Sequence, residues 1–183
     1  LMKLVSFYRL STKVHDSMVA VRKEVEMLDA YMSLMCYRYS DIIYRSEIEP
    51  GALDIEIPNF ILQPLLENSL MHGLKDRRYQ GTIILKIYRN EQDKNELNIW
   101  LIDDGIGIPD DKMAELNAYN AKDSEALYRV QTRTEGDRTH LGVINVISRL
   151  KLYYQENAEV IYMRNETGGT TVKIKIKTAS EET

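Results

Sequence analysis

Asp103-Asp104-Gly105-Ile106-Gly107 is the stretch on which the reading of this 183-residue chain turns. The residues before it, 96–103, form a run with the character of a strand, so Asp103 is expected at a strand end with two glycines close behind. A carboxylate placed there accepts a hydrogen bond from an exocyclic amine, and residues without Cβ let backbone approach a flat base closely. Alone, an Asp-Gly pair signals only a turn. A calcium loop is excluded, because the alternating oxygen ligands and the closing Glu are absent.

Its counterpart lies upstream. Residues 58–73 (PNFILQPLLENSLMHG) read as a helix opened by Pro58, with Pro64 in the first regular turn and Gly73 as the C-cap. Leu62, Leu66 and Leu70 make an apolar stripe, while Asn68 and His72, four apart, project together from a different face. The Asn68 amide oxygen is a hard neutral ligand suited to Mg²⁺, which prefers oxygen donors and is shared with substrate phosphates. His72, one turn later, can donate to a phosphate oxygen. Considered singly, His72 is an ordinary histidine near a helix end, where the macrodipole favours it.

Outward from these two stretches the chain alternates helix and strand. Residues 1–10 end a helix, and Val21, Val25, Leu28, Met32, Met35 and Tyr39 form the seam of the next. That seam is expected to pack on its own domain rather than in an intermolecular coiled coil. Strands are expected at 42–49 and 54–57, then at 82–89 and 96–103 as a hairpin across the polar turn 91–95. Residues 110–139 are polar and weakly periodic, with one short helix at 110–118; a loop of this length inside a compact domain reads as a lid. A helix at 142–154 follows, then strands at 159–163 and 171–177 joined by Gly168-Gly169. There is no regular βαβ rhythm. The expected fold is therefore α/β: a two-layer α/β sandwich with a mixed, mostly antiparallel sheet and helices on one face.

Composition sets outer bounds. Hydrophobic residues are 44% and charged residues 28%, ordinary usage for a globular domain. A net charge of −4 gives no basic footprint, so no nucleic-acid partner is expected. The single cysteine, Cys36, rules out an internal disulfide and fits a reducing compartment. No apolar run approaches the ~18 residues of a membrane-spanning helix, and no signal-peptide pattern opens the chain.

Together the motifs say more than any one of them. Asn-x-x-x-His on a helix, then Asp-x-Gly-x-Gly after a strand, then a long lid and a glycine opening a helix resembles the gyrase, heat-shock-90, histidine-kinase and MutL (GHKL) ATP-binding superfamily. Within it, 58–74 (PNFILQPLLENSLMHGL), 103–109 (DDGIGIP) and 141–153 (LGVINVISRLKLY) resemble the three nucleotide boxes of LytS/YesM-like sensor histidine kinases. The arm from Leu4 to Tyr39, with Glu24 to Tyr31, is similar to that class as well.

The resemblance implies a Bergerat-type ATP-binding fold with ATP and Mg²⁺ as cofactors. It makes Asn68 the Mg²⁺ ligand, His72 a phosphate-side or metal-side contact, and Glu67 a family residue of open role. Asp103 matches the adenine-recognising carboxylate, Gly105 and Gly107 the adenine-side backbone, and Gly142 the glycine where the lid meets a helix. Phosphate oxygens there would meet free N–H groups at the positive end of the helix. Thr170 matches a threonine supporting the adenine–Asp network, and Arg138 is a lid cation placed to clamp phosphate. One departure is His140, which stands where the lid-end Gly-x-Gly has its first glycine.

The superfamily's water-splitting ATPases carry a Glu four residues before the Asn; here that position is Pro64, which offers no base. The chain should hold ATP without hydrolysing it quickly and donate the γ-phosphoryl to a positioned acceptor. No Asn-Pro-His-Phe acceptor motif is present, and His15 reads as a solvated loop histidine. The resemblance thus implies a protein-histidine kinase domain without its acceptor, with residues 1–40 as the end of the dimerisation region and 41–183 as the catalytic domain. Its implied partners are the acceptor-histidine dimerisation domain of the same kinase, homodimeric in full length, and a response regulator. Its implied place is the cytoplasmic side of a membrane-anchored sensor. The rival readings are an anti-sigma-factor-type serine kinase and a catalytically silent nucleotide-binding or protein-interaction module.

Overall fold

Alternation along three strands decides the architecture. In the computed structural model, which describes residues 18–122, 127 and 141–178, Ile83, Leu85 and Ile87 are buried, as are Leu97, Ile99 and Leu101, and Val172, Ile174 and Ile176. The residues between them, among them Lys86, Trp100 and Lys173, stay half-exposed on the opposite face. One face of the sheet therefore faces helices and the other faces solvent, which is the two-layer arrangement expected of such a period-two pattern.

The elements run β1 (Met18–Ala20), α1 (Val21–Arg38), β2 (Ile42–Ile48), β3 (Glu56–Pro58), α2 (Gln63–Asn68), β4 (Gly81–Arg89), β5 (Glu96–Asp103), α3 (Asp110–Ala118), α4 (Leu141–Tyr154), β6 (Ala158–Arg164) and β7 (Thr170–Lys177). The main sheet has the order β2-β4-β5-β7-β6, with β2 parallel to β4 and every other pairing antiparallel. β1 and β3 form a separate antiparallel pair, Met18 opposite Pro58. The seam of α1 faces inward: Val21, Val25, Leu28, Met32 and Met35 join the same buried cluster as Leu62, Leu66 and the sheet. The free edge of β6 is closed by side chains rather than by a further strand. Asn117 accepts from the Tyr162 N–H at 2.8 Å and donates to its carbonyl at 2.9 Å, and the Asn120 amide does the same to Val160. Two asparagines thus occupy a row of backbone groups that would otherwise invite another chain.

Two expectations are corrected. Pro58 does not open a helix; it ends β3, and α2 starts only at Gln63, after a bend at Phe60 with φ +60°. Pro64 does sit in the first turn of α2. Gly73 is not a C-cap: Ser69–Leu74 widens into a π turn, a 3₁₀ turn Lys75–Arg77 follows, and the left-handed residue is Arg78 at φ +57°. The physical reason is that Gly73 is needed for close packing, as described below. The segment 1–10, His15, Arg138 and His140 lie outside the described residues.

Candidate functional site

β5 delivers Asp103 to the end of the sheet, 2% exposed. One carboxylate oxygen accepts the N–H groups of Gly105 at 3.0 Å and Thr170 at 3.2 Å, and the other accepts the Ser69 hydroxyl at 2.8 Å. A carboxylate has about four acceptor positions, so the oxygen bonded to Ser69 retains capacity for an outside donor. Burial pushes the Asp103 carboxyl above its ordinary value of 3.8, while these three bonds pull it back and the Asp104 charge adds a further push upward.

Backbone meets backbone around this carboxylate. A Cβ on Gly105 would lie 2.6 Å from the Gly73 Cα, and the Gly73 carbonyl accepts the Ile106 N–H at 3.1 Å. Gly107 adopts φ +76°, a conformation that favours glycine. Asn165 locks the same loop from the β6–β7 turn by donating to the Asp103 carbonyl at 2.8 Å. The glycines expected to admit a flat base therefore also serve to seat the loop on the π turn.

α2 and its π turn form the facing wall. A cavity of about 310 Å³ opens between them, lined by Asn68, His72, Asp103, Gly107 and Thr170 with an apolar floor that includes Ile108 and Val172. Residues 68 and 72 on one element and residue 103 on another thus share one space, as the spacing of the motifs predicts. Asn68 is half-buried and His72 exposed at its mouth. Glu67, Gly105 and Gly142 do not line the cavity. Glu67 accepts the Gln63 side-chain amide at 3.0 Å, and Gly142, in the first turn of α4, faces Pro64, whose Cβ lies 3.5 Å from where a Gly142 Cβ would be.

Sequence reasoning missed several participants. Ser69 falls four residues after Leu65 and four before Gly73, the one hydroxyl in α2 and its π turn, and a buried hydroxyl requires a partner. Lys112 and Asp76 line the cavity with no sequence signal beyond their charge. Tyr162, buried on the wall, has a hydroxyl with no hydrogen-bond partner among the described residues. Asn68 and the mouth of the cavity fit a hydrated Mg²⁺ held by one protein oxygen and substrate phosphates, and among the described residues no group of three or more His, Cys, Asp and Glu could hold a metal alone.

Comparison with known proteins shows the family and the fold. The family of histidine kinase-, DNA gyrase B- and HSP90-like ATPases matches residues 54–180. The sensor protein LytS of Oceanobacillus iheyensis is 33% identical over 175 residues, covering 94% of this chain and 28% of that protein. The chain spans under a third of the length of that relative. The fold is shared with the histidine kinase domain of the Erythrobacter litoralis EL346 blue-light activated kinase (TM-score 0.56, 19% identity, 87% of this chain and 61% of that one). It is shared too with the catalytic domain of histidine kinase ThkA (TM-score 0.60, 13% identity, 90% and 97%).

Proposed function

Because the chain belongs to the histidine kinase-, DNA gyrase B- and HSP90-like ATPases, we propose that it is the ATP-binding catalytic domain of a LytS-like sensor histidine kinase. It holds Mg·ATP and passes the γ-phosphoryl to a histidine on a dimerisation domain of the same kinase, for relay to a response regulator. The observation that carries this reading is the convergence of Asn68, His72 and Asp103, from separate elements, on one cavity.

In this reading Asp103 accepts the exocyclic amine of adenine, which rests on the apolar floor between Ile108 and Val172. Thr170 and Ser69 fix the orientation of that carboxylate through the bonds already described. Asn68 supplies an oxygen to Mg²⁺, which neutralises phosphate charge, and His72 stands on the phosphate side at the cavity mouth. Gly142 lies in the first turn of α4, whose N-terminal N–H groups suit phosphate oxygens; Arg138, outside the described residues, is the further cation that the resemblance assigns to phosphate. Pro64 provides no base near the γ-phosphate, so water is not activated and orientation toward the acceptor supplies the rate.

Residues 1–40 are taken as the end of the dimerisation region and 41–183 as the catalytic domain, with the full-length kinase a homodimer anchored at a membrane. Among the described residues no helix is long and apolar enough to cross a membrane. The test is phosphotransfer in trans. Incubated with Mg·ATP and an acceptor-histidine dimerisation fragment of a LytS-like relative, the chain is expected to give an acid-labile, base-stable phosphoprotein. An acid-stable phosphoserine product, or binding without transfer to any acceptor fragment, would contradict it.

A further inference from the structure

Glu24 to Tyr31 carries part of the sequence resemblance but takes no place in the cavity. Glu24, on α1, is 1% exposed. Its two oxygens accept the Phe60 N–H at 2.8 Å and the Leu62 N–H at 3.2 Å, and the Ile61 N–H also draws its carboxyl downward against the upward push of burial. Phe60 sits at φ +60°, a left-handed conformation that a bulky side chain adopts only where its surroundings hold it there. Successive N–H groups on such a bend form a concave seat for an anion, and the Glu24 carboxylate fills it. From the opposite side Arg149 of α4 donates to the Asn59 carbonyl on the same bend, and its charge favours ionised Glu24.

α1 then follows the nucleotide-facing segment along its length. Tyr31 lies close enough to Glu67, Tyr79 and Tyr39 that, after burial, their charges help raise its hydroxyl to about 12. At the far end the Tyr39 ring stacks on Tyr79 with centroids 3.9 Å apart, just beyond the π turn. Only the six residues of α2 separate the Phe60 bend region from the π turn. A shift at the bend therefore reaches Asn68 through a single rigid piece, whereas Asp103 is held by the sheet and by its own bonds.

We propose that Glu24 is a positioning residue for the nucleotide site: by holding the left-handed bend at Phe60 it fixes where α2 begins, and so where Asn68 and His72 stand relative to Asp103. The inference rests on the reading of the cavity as a Mg·ATP site. It assigns α1 a task beyond core packing, because disturbance of α1 alters the metal side of the site and leaves the base side in place.

The test is Glu24→Gln in this chain, which keeps the side-chain volume and leaves one acceptor oxygen. Calorimetric affinity for ADP is measured with Mg²⁺ and with EDTA. The variant is expected to bind ADP in EDTA within about twofold of wild type but to lose about tenfold or more of the affinity that Mg²⁺ adds, the size of one charge-assisted hydrogen bond. A folded variant that melts earlier but keeps the full Mg²⁺ gain overturns the proposal, since Glu24 would then be only a cap. If the variant does not fold, wild-type amide shifts decide. Adding Mg²⁺ to the ADP-bound chain is expected to move the Phe60, Ile61 and Leu62 signals, residues that do not line the cavity; silence there overturns the proposal. A wild type that binds no nucleotide overturns the reading of the cavity and the inference with it, whereas a binding wild type with an undisturbed variant overturns the inference alone.

Discussion

Asp103 and Asn68 face the same cavity from supports of very different kinds. Asp103 ends a strand paired on both sides, is almost wholly buried, and has three hydrogen bonds to its carboxylate. Asn68 ends a six-residue helix that starts from a strained bend and runs into a π turn. A base is the same shape in every nucleotide state, so its reader gains from rigidity. A cation and a phosphate chain change through a reaction cycle, and their wall stands on an element that a neighbouring helix can adjust. π turns inside helices occur often at functional sites, which fits the second wall.

The largest expected effect comes from joining the two walls incorrectly. Gly105→Ala places a methyl group about where the Gly73 backbone lies. Overpacking of this kind costs ~3 kcal/mol, and here it pries the loop from the π turn, so thermal unfolding should shift down and nucleotide binding should vanish together. A variant that binds normally would show that the walls are independent. Next in size are the two walls taken singly. Asp103→Asn keeps one oxygen for the Gly105 and Thr170 N–H groups but puts an NH₂ donor on the side of Ser69 and the adenine amine, and it should weaken ADP binding roughly 10- to 100-fold with or without Mg²⁺. Asn68→Ala should leave the metal-free affinity alone and remove most of the Mg²⁺ gain, which calorimetry in EDTA and in Mg²⁺ separates. Equal losses in both conditions for both variants would erase the contrast.

Smaller and graded is the effect of pH. Burial raises the carboxyls of Asp103 and Glu24 above their ordinary 3.8 and 4.5. A raised folded-state pKa means the folded chain holds the proton more tightly, so each group's contribution to stability is full below the unfolded pKa and is lost as pH rises through the folded value. Asp103→Asn should therefore flatten the fall in denaturant midpoint that sets in as pH rises above 3.8. Nucleotide affinity runs the other way, because the amine needs the ionised carboxylate: it should weaken on acidification while the pH is still above 3.8. The smallest effect is expected from Tyr162→Phe. Its buried hydroxyl has no partner among the described residues, so its removal should leave thermal stability unchanged or raise it by about 1 kcal/mol.

The same contrast governs what the sequence could disclose. Strands 82–89 and 96–103, and the helices at 110–118 and 142–154, were legible because period-two and period-3.6 patterns are direct records of which face is buried. The sheet class followed from helix and strand alternating without a regular βαβ rhythm, and the convergence of Asn68, His72 and Asp103 from motif order. What stayed hidden depends on contacts between distant residues. The late start of α2 is set by Glu24, 36 residues before Phe60, and nothing local to Pro58 announces it. Gly73 looked like a cap because glycine usually marks a helix end; its actual use, contact with Gly105, lies in another element. Ser69 was findable, since it is a lone hydroxyl on an apolar helix side, and the pairing of β1 with β3 was not, because three residues leave no periodic trace.

The most direct measurement is an amide-resolved titration of the wild-type chain with Mg²⁺ and a non-hydrolysable ATP analogue. The shared-cavity account predicts saturable shifts, with one dissociation constant, at both the 103–107 loop and the 68–72 segment. Shifts at only one of the two, or at neither, would contradict it.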